Sequence, residues 1–407
     1  MSVVRRHPLW TMVVAGVAIR LILAFALHGT YAVDILAFSG AQVQHGDWEA
    51  VYEGGFFSWP YPPIYLAWVV IADGLSDALG LSFHGVVKLV PILADVGIAL
   101  AAYAYLGWRG ASDGQRLAAA ALVLLGPSFI AVSAYQGQID SVAILPAVLA
   151  VAAWEVRPAR TRAVESGLLV GLGAAIKMVP GLLALPLLAC ARSWREGVKL
   201  AIPAIALPLA TLAPLYLAGI DLERITAYGG VPGFGGPSLV VNPGLGFDRV
   251  TTTGLAGELG GMSAMLADGS RWITAALLAA LAAFLFRYRP AAIDGAVLLW
   301  LAVFAFSPNF FLSYMVWALP FFIMAGYLKE TAILQAALLP ATVVYYLAIG
   351  ERVFGSALGV VYVASMILLW AFWVVATVAI AARIARRRGW DADHVQPPLV
   401  NLSPEAA

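Results

Sequence analysis

"PLWTMVVAGVAIRLILAFALHGTYAVDILAF", residues 8–38, decides the fold. From Pro8 to Leu27 the run is apolar for as long as a bilayer crossing requires, about 20 residues. Arg5 and Arg6 precede it, and the run exceeds a signal-peptide core and lacks a convincing small-residue cleavage site, so a retained first helix is expected. Just beyond its end stands a bare carboxylate, Asp34. Composition extends the reading to the whole chain: of 407 residues, 62% are hydrophobic and 12% charged, and the mean hydropathy is +0.88. Those values lie outside the soluble range and predict an all-α polytopic membrane protein. The single cysteine, Cys190, excludes a disulfide framework and a thiolate metal cluster.

Lysine and arginine set the orientation, because loops on the cytoplasmic side carry their excess. They gather at Arg5 and Arg6, Arg109 and Arg116, Arg157 to Arg162, Arg192 to Lys199, Arg287 and Arg289, Lys329, and Arg383 to Arg388. Placing these inside puts Asp34, Asp47, Glu49, Asp140, Asp221 and Glu351 outside. An odd number of crossings must then separate Asp34 from Arg109. Val86 to Leu106 can span, whereas Ile64 to Ala72 is too short and reads as a surface or re-entrant helix. About 12 transmembrane helices follow, with both termini cytoplasmic and short helices in a large first extracytoplasmic loop over 29–83. A second outer loop covers 218–264. Residues 1–390 form one membrane domain, and 391–407 read as a disordered cytoplasmic tail.

Ionisable groups at membrane depth or at its edge are functional candidates by default. Asp34 is the foremost: its backbone is fixed by the first helix, and a partly desolvated mouth would strengthen it as a base. Tyr61 lies among the aromatic residues of the first outer loop. "AYQGQIDSV", residues 134–142, groups Gln136, Gln138 and Asp140 in one bend, suited to sugar hydroxyls that both donate and accept; a helix cap is the plainer alternative. Lys177, between two apolar half-helices in "GAAIKMVPG", suits a phosphate. Lys88 and Asp95 share a helix face, and a structural pair is the default reading. Arg352 and Arg224 are the outer arginines. In "FSPNFFLSYMVWALPF", residues 306–321, Asn309 is the specific candidate, the aromatics reading as an interface belt. Glycines 167, 171 and 173 read as close helix packing. Neither a metal-ligand spacing nor a glycine-rich nucleotide loop occurs.

These stretches, in this order, resemble the GT-C superfamily of integral-membrane glycosyltransferases: Asp34 after the first helix, "WPYPPIYL", "YQGQIDS", "IKMVPGLLALP" and "SPNFFLSYMVWALPF". The resemblance is nearest to bacterial polyprenyl-phosphomannose-dependent mannosyltransferases and to the catalytic subunit of GPI mannosyltransferase I. This sequence has an isolated Asp34 where many members carry paired acidic residues. The resemblance implies a GT-C fold and an inverting transfer of a hexose, mannose, from a polyprenyl-phosphate carrier to a glycolipid or glycan. Asp34 would be the general base. Lys177, with Lys88 or Arg352 as alternatives, would hold the donor phosphate, and Gln136, Gln138, Asp140, Tyr61 and Asn309 the sugar or acceptor. No cofactor or metal and no nucleic-acid partner are expected; the lipid carrier takes the place of a soluble nucleotide sugar. The rival reading is a transporter or flippase, which would show repeat-related halves and polar groups at the midplane.

Overall fold

Thr30 accepts a hydrogen bond from the Ala32 amide, so the chain leaving helix α1 (Pro8–Ala26) turns at once into α2 (Tyr31–His45), and Asp34 stands in the first turn of that helix. The computed structural model describes residues 7–222, 225, 235–239, 255–353, 355–387, 395 and 397–402. Asp47 then caps α3 (Trp48–Glu53), and the "WPYPP" turn leads into α4 (Leu66–Leu79). At 14 residues α4 is too short to span, as its sequence led us to expect. It packs on α2 around Val33, Leu36, Val69 and Ala72.

The bundle proper begins with α5 (Phe83–Trp108) and α6 (Asp113–Gln136), the latter started by a reciprocal cap between Ser112 and Gln115. α6 ends in a wide π-helical turn, Ala131–Gln136, of the kind that collects at functional sites. α7 (Asp140–Val156), α8 (Arg162–Ile176) and α9 (Ala184–Ala189) follow, α8 and α9 being separated by a break at Lys177. The long α10 (Trp194–Leu217) and α11 (Leu255–Tyr288) flank α12 (Ala292–Phe306) and α13 (Met315–Ala325), which are almost wholly buried. α14 (Leu328–Ile349) and α15 (Ser356–Arg386) complete the chain. No strand occurs among the described residues.

Seven described helices are long and apolar enough to cross a membrane: α1, α5, α6, α10, α11, α14 and α15. The sequence count of twelve also takes in α7, α8, α9, α12 and α13, which have at most 17 residues and are packed mainly against protein. Tight packing of α8 on α10 follows from its glycines. A Cβ at Gly167 would stand 2.3 Å from the Leu200 carbonyl oxygen, and one at Gly171 2.4 Å from that of Pro203.

Three expectations are corrected. Asp95 does not pair with Lys88: seven residues of helix separate them by roughly 10 Å along the axis. Its partner is Arg20, in the middle of the first span, which a hydropathy reading passes over. Arg20 Nε lies 3.0 Å from Asp95 Oδ2, while Ser133 and Ser141 donate to the same carboxylate, tying α1, α5, α6 and α7 together. The tail is not wholly disordered, because residues 397–402 pack against the bundle. The Leu399 amide donates to Asp294, the Arg387 guanidinium to the Pro397 carbonyl, and Leu402 is buried. Prolines at 397 and 398 lower the entropy cost of ordering that segment. Finally, α11 begins at Leu255, inside the stretch read as the second outer loop. Most of that loop, with Arg224, lies outside the described residues, as do 391–394, 396 and 403–407.

Candidate active site

The ends of α1, α5, α6, α7 and α14 meet the first loop at one end of the bundle. Gly29, at φ +102°, lets the chain pass under the α6 terminus; a Cβ there would stand 2.3 Å from the Tyr135 carbonyl oxygen. Two residues on, α2 carries Asp34 outward. The carboxylate is half-exposed, and its Oδ1 lies 2.9 Å from His28 Nε2. The desolvated mouth expected for it is therefore not seen around Asp34 among the described residues; the carboxylate stands at a rigid helix start, with His28 against one oxygen.

Another face of α2 walls a cavity of about 190 Å3, lined by Tyr31, Ile35, Trp59, Tyr61, Gly137 and Gln138; Asp34 is not among its lining residues. Its "WPY" wall is rigid, with Trp59 donating to the Pro62 carbonyl and its ring meeting Tyr61 edge-on. Burial pushes the Tyr52 and Tyr65 phenols beneath it well above their ordinary range, so both stay neutral.

Tyr61 connects this cavity to a buried ion pair. Lys177 Nζ lies 2.7 Å from Asp140 Oδ1, both side chains being almost fully buried. The rings of Tyr61, Tyr314 and Trp317 surround the ammonium at 4.8, 5.3 and 5.1 Å. The Trp317 indole N–H also donates to Asp140 Oδ1. Asp140 Oδ2, equally buried, accepts no hydrogen bond among the described residues. Tyr314 and Trp317 are thus buried members of the cluster, stacked at 3.6 Å, and not the interface belt that their spacing had suggested.

The other candidates fall into place around these groups. Lys88 is fully buried and donates to the carbonyls of Ala24, Leu27 and His28. An ammonium has three donors, so Lys88 is committed to the end of α1 and has none left for a phosphate, a correction to its expected role. Gln136 is buried, its Oε1 accepting from the Tyr346 hydroxyl at 2.9 Å. Gln138 lines the cavity. Asn309 sits in the break between α12 and α13, its amide donating to Ser307 Oγ at 3.3 Å. Arg352 is exposed, makes no ion pair among the described residues and holds φ +54°, a left-handed backbone that costs a non-glycine residue about 1–2 kcal/mol. Its neighbour Glu351 accepts from the Tyr135 hydroxyl at 2.8 Å, so the strained turn is anchored at the end of the π-helical segment. His28, Tyr31, Tyr314 and Trp317 were missed in the sequence; only the aromatic run 310–317 offered a signal, and it read equally well as belt. Among the described residues, no group of three or more His, Cys, Asp or Glu side chains could hold a metal ion.

The family model described as "Glycosyltransferase family 87" matches residues 59–308, more than half of the chain. The match takes in Tyr61, Lys88, Gln136, Gln138, Asp140 and Lys177. It begins after Asp34 and stops short of Asn309 and Arg352. No curated protein matches the chain.

Proposed function

The chain belongs to glycosyltransferase family 87, a membrane glycosyltransferase family of the GT-C type, and from that premise we propose that it transfers mannose from a polyprenyl-phosphate carrier to a glycolipid or glycan hydroxyl. The site would face the extracytoplasmic side, with both termini cytoplasmic. The single observation that carries this reading is the placement of Asp34. It is the half-exposed carboxylate in the first turn of α2, paired with His28, on the same helix whose residues Tyr31 and Ile35 wall a cavity together with Tyr61 and Gln138.

In the proposed reaction the acceptor hydroxyl gives its proton to Asp34 as its oxygen forms a bond to C1 of the sugar. The bond from C1 to the phosphate oxygen breaks on the opposite side, its electrons leaving with the polyprenyl phosphate, and the anomeric centre inverts. Negative charge grows on that phosphate and needs a cation. Lys177 is neutralised by Asp140 and Lys88 is spent on carbonyls, so Arg352, whose guanidinium makes no ion pair among the described residues, is our assignment for that contact. The buried Asp140–Lys177 pair would act behind Tyr61, and should a sugar hydroxyl reach Asp140 Oδ2, that bond would relieve the cost of leaving the oxygen bare. Gln138 would face the same ligand across the cavity, and Tyr61 would offer its ring to the sugar. Gln136 and Asn309 would shape the site from behind. No metal is required by this scheme.

Membranes carrying the protein, supplied with a panel of radiolabelled donors, test the reading. Transfer from polyprenyl-phosphate mannose into endogenous lipid or glycan, with none from soluble nucleotide sugars, is expected. Transfer from a nucleotide sugar in the absence of lipid carrier would contradict it.

A further inference from the structure

Roughly 22 Å along α7 from Asp140, at the opposite end of the helix, a second cavity opens that the transfer does not use. Its volume is about 690 Å3, and its wall includes Trp108, Arg109, Glu155, Arg162, Arg192 and Arg387, with residues 397–402 along one side. Among the described residues the charges around it do not cancel. Arg162 pairs with Glu196 at 2.7 Å. Glu155 accepts from the Tyr105 hydroxyl and the Ile293 amide, and Asp294 from the Leu399 amide. Arg109 donates to the Met324 and Val400 carbonyls, Arg387 to that of Pro397, and Arg289 to that of Ala189 beside Cys190. Carbonyls satisfy N–H groups without removing charge. Among the described residues, five guanidiniums thus stand with three carboxylates, Arg192 makes no ion pair, and Arg162 Nη2 is buried without an acceptor.

An apolar groove adjoins this cavity at Trp108. It holds about 460 Å3 between α5, α7 and α8, and small side chains at Ala101, Ala104, Ala152 and Ala153 open it, with Leu149 and Leu169 at its sides. Trp108 and Leu149 are exposed, so the groove lies open on the surface that α5, a helix of spanning length, presents outside the bundle. A half-exposed tryptophan between a basic cavity and an apolar groove marks the depth of the lipid headgroups.

We propose that this end of the bundle binds one anionic phospholipid, its phosphate held by Arg109, Arg162 and Arg192 and one acyl chain lying in the α5–α7–α8 groove. The unsatisfied Arg162 Nη2 donor and the excess of guanidiniums over carboxylates among the described residues suit phosphate oxygens. The adjoining groove distinguishes a lipid from free phosphate, and a basic pocket between membrane helices is suited to an anionic headgroup. Neither the donor sugar nor the role of Asp34 enters this inference.

The test uses the purified full-length protein in a non-ionic detergent, with dioleoyl phosphatidylglycerol, dioleoyl phosphatidylcholine or inorganic phosphate added. Retained lipid is counted by native mass spectrometry, and the apparent Tm is recorded. Phosphatidylglycerol is expected to remain as a single bound lipid and to raise the Tm, and the other two to do neither. Arg192→Gln, which removes charge, and Ala104→Trp, which fills the groove, should each weaken phosphatidylglycerol retention by about tenfold or more while the lipid-free Tm stays at the wild-type value. Equal retention of phosphatidylcholine, an equal Tm shift with inorganic phosphate, or undiminished retention in either variant would overturn the assignment. Should one variant fold poorly, the other together with the lipid comparison still decides.

Discussion

Lys177 has a position that its sequence discloses and partners that it does not. Its position between two half-helices is legible in "GAAIKMVPG", but its partner Asp140 is 37 residues away and its three aromatic neighbours come from 61, 314 and 317. Removing one member of a buried pair leaves an uncompensated charge, at a cost of about 3–5 kcal/mol. Lys177→Met and Asp140→Asn are therefore each expected to destabilise the protein strongly. The double variant should be markedly less destabilised than the sum of the two, as measured by denaturant or thermal unfolding in detergent; additive effects would contradict a direct pair. Arg352 is the contrasting case, exposed and unpaired by any carboxylate among the described residues. A charge-assisted contact contributes about 1.5–3 kcal/mol, so Arg352→Ala should lower kcat/KM for the lipid donor by roughly 10- to 100-fold with unchanged melting behaviour. Unchanged kinetics would return the phosphate to another cation.

At the scale of elements, the junction of α1 and α2 carries the proposed base. Gly29 must take φ +102° with a carbonyl where its Cβ would be, so even an added methyl has no room. Gly29→Ala is expected to reduce both the yield of folded protein and the transfer rate, whereas Gly46→Ala, also at positive φ but with open space around it, should cost only the conformational strain. The two yields and rates, compared side by side, check this. Such elements are partly readable in sequence: apolar length gave the long helices, "YPP" the non-spanning α4, and the glycines of α8 its close packing. What could not be read depends on distant partners. Arg20 sits unmarked in an apolar run because its cost is met by Asp95, Ser133 and Ser141 on other helices. The ordered 397–402 segment likewise depends on Asp294 and Arg109, about 100 and 290 residues away.

For the whole molecule, charge placement and the two opposed cavities give one consistent polarity. Asp34, Asp140 and the aromatic cavity lie at one end of the bundle, and the guanidiniums of Arg109, Arg162, Arg192 and Arg387 at the other. By the positive-inside rule we propose that the second end is the cytoplasmic one. Since Cys190 is buried, single cysteines elsewhere can report on that polarity. In intact cells Asp47→Cys should react with a membrane-impermeant maleimide, and Arg195→Cys only after permeabilisation; the reverse pattern would invert the topology. The catalytic claim itself rests on one carboxylate. With expression matched, transfer of radiolabelled mannose from polyprenyl phosphate by wild type and by Asp34→Asn is the most direct measurement. Loss of a positioned general base is expected to slow transfer by about 10²- to 10⁴-fold; transfer at the wild-type rate by Asp34→Asn would contradict the account.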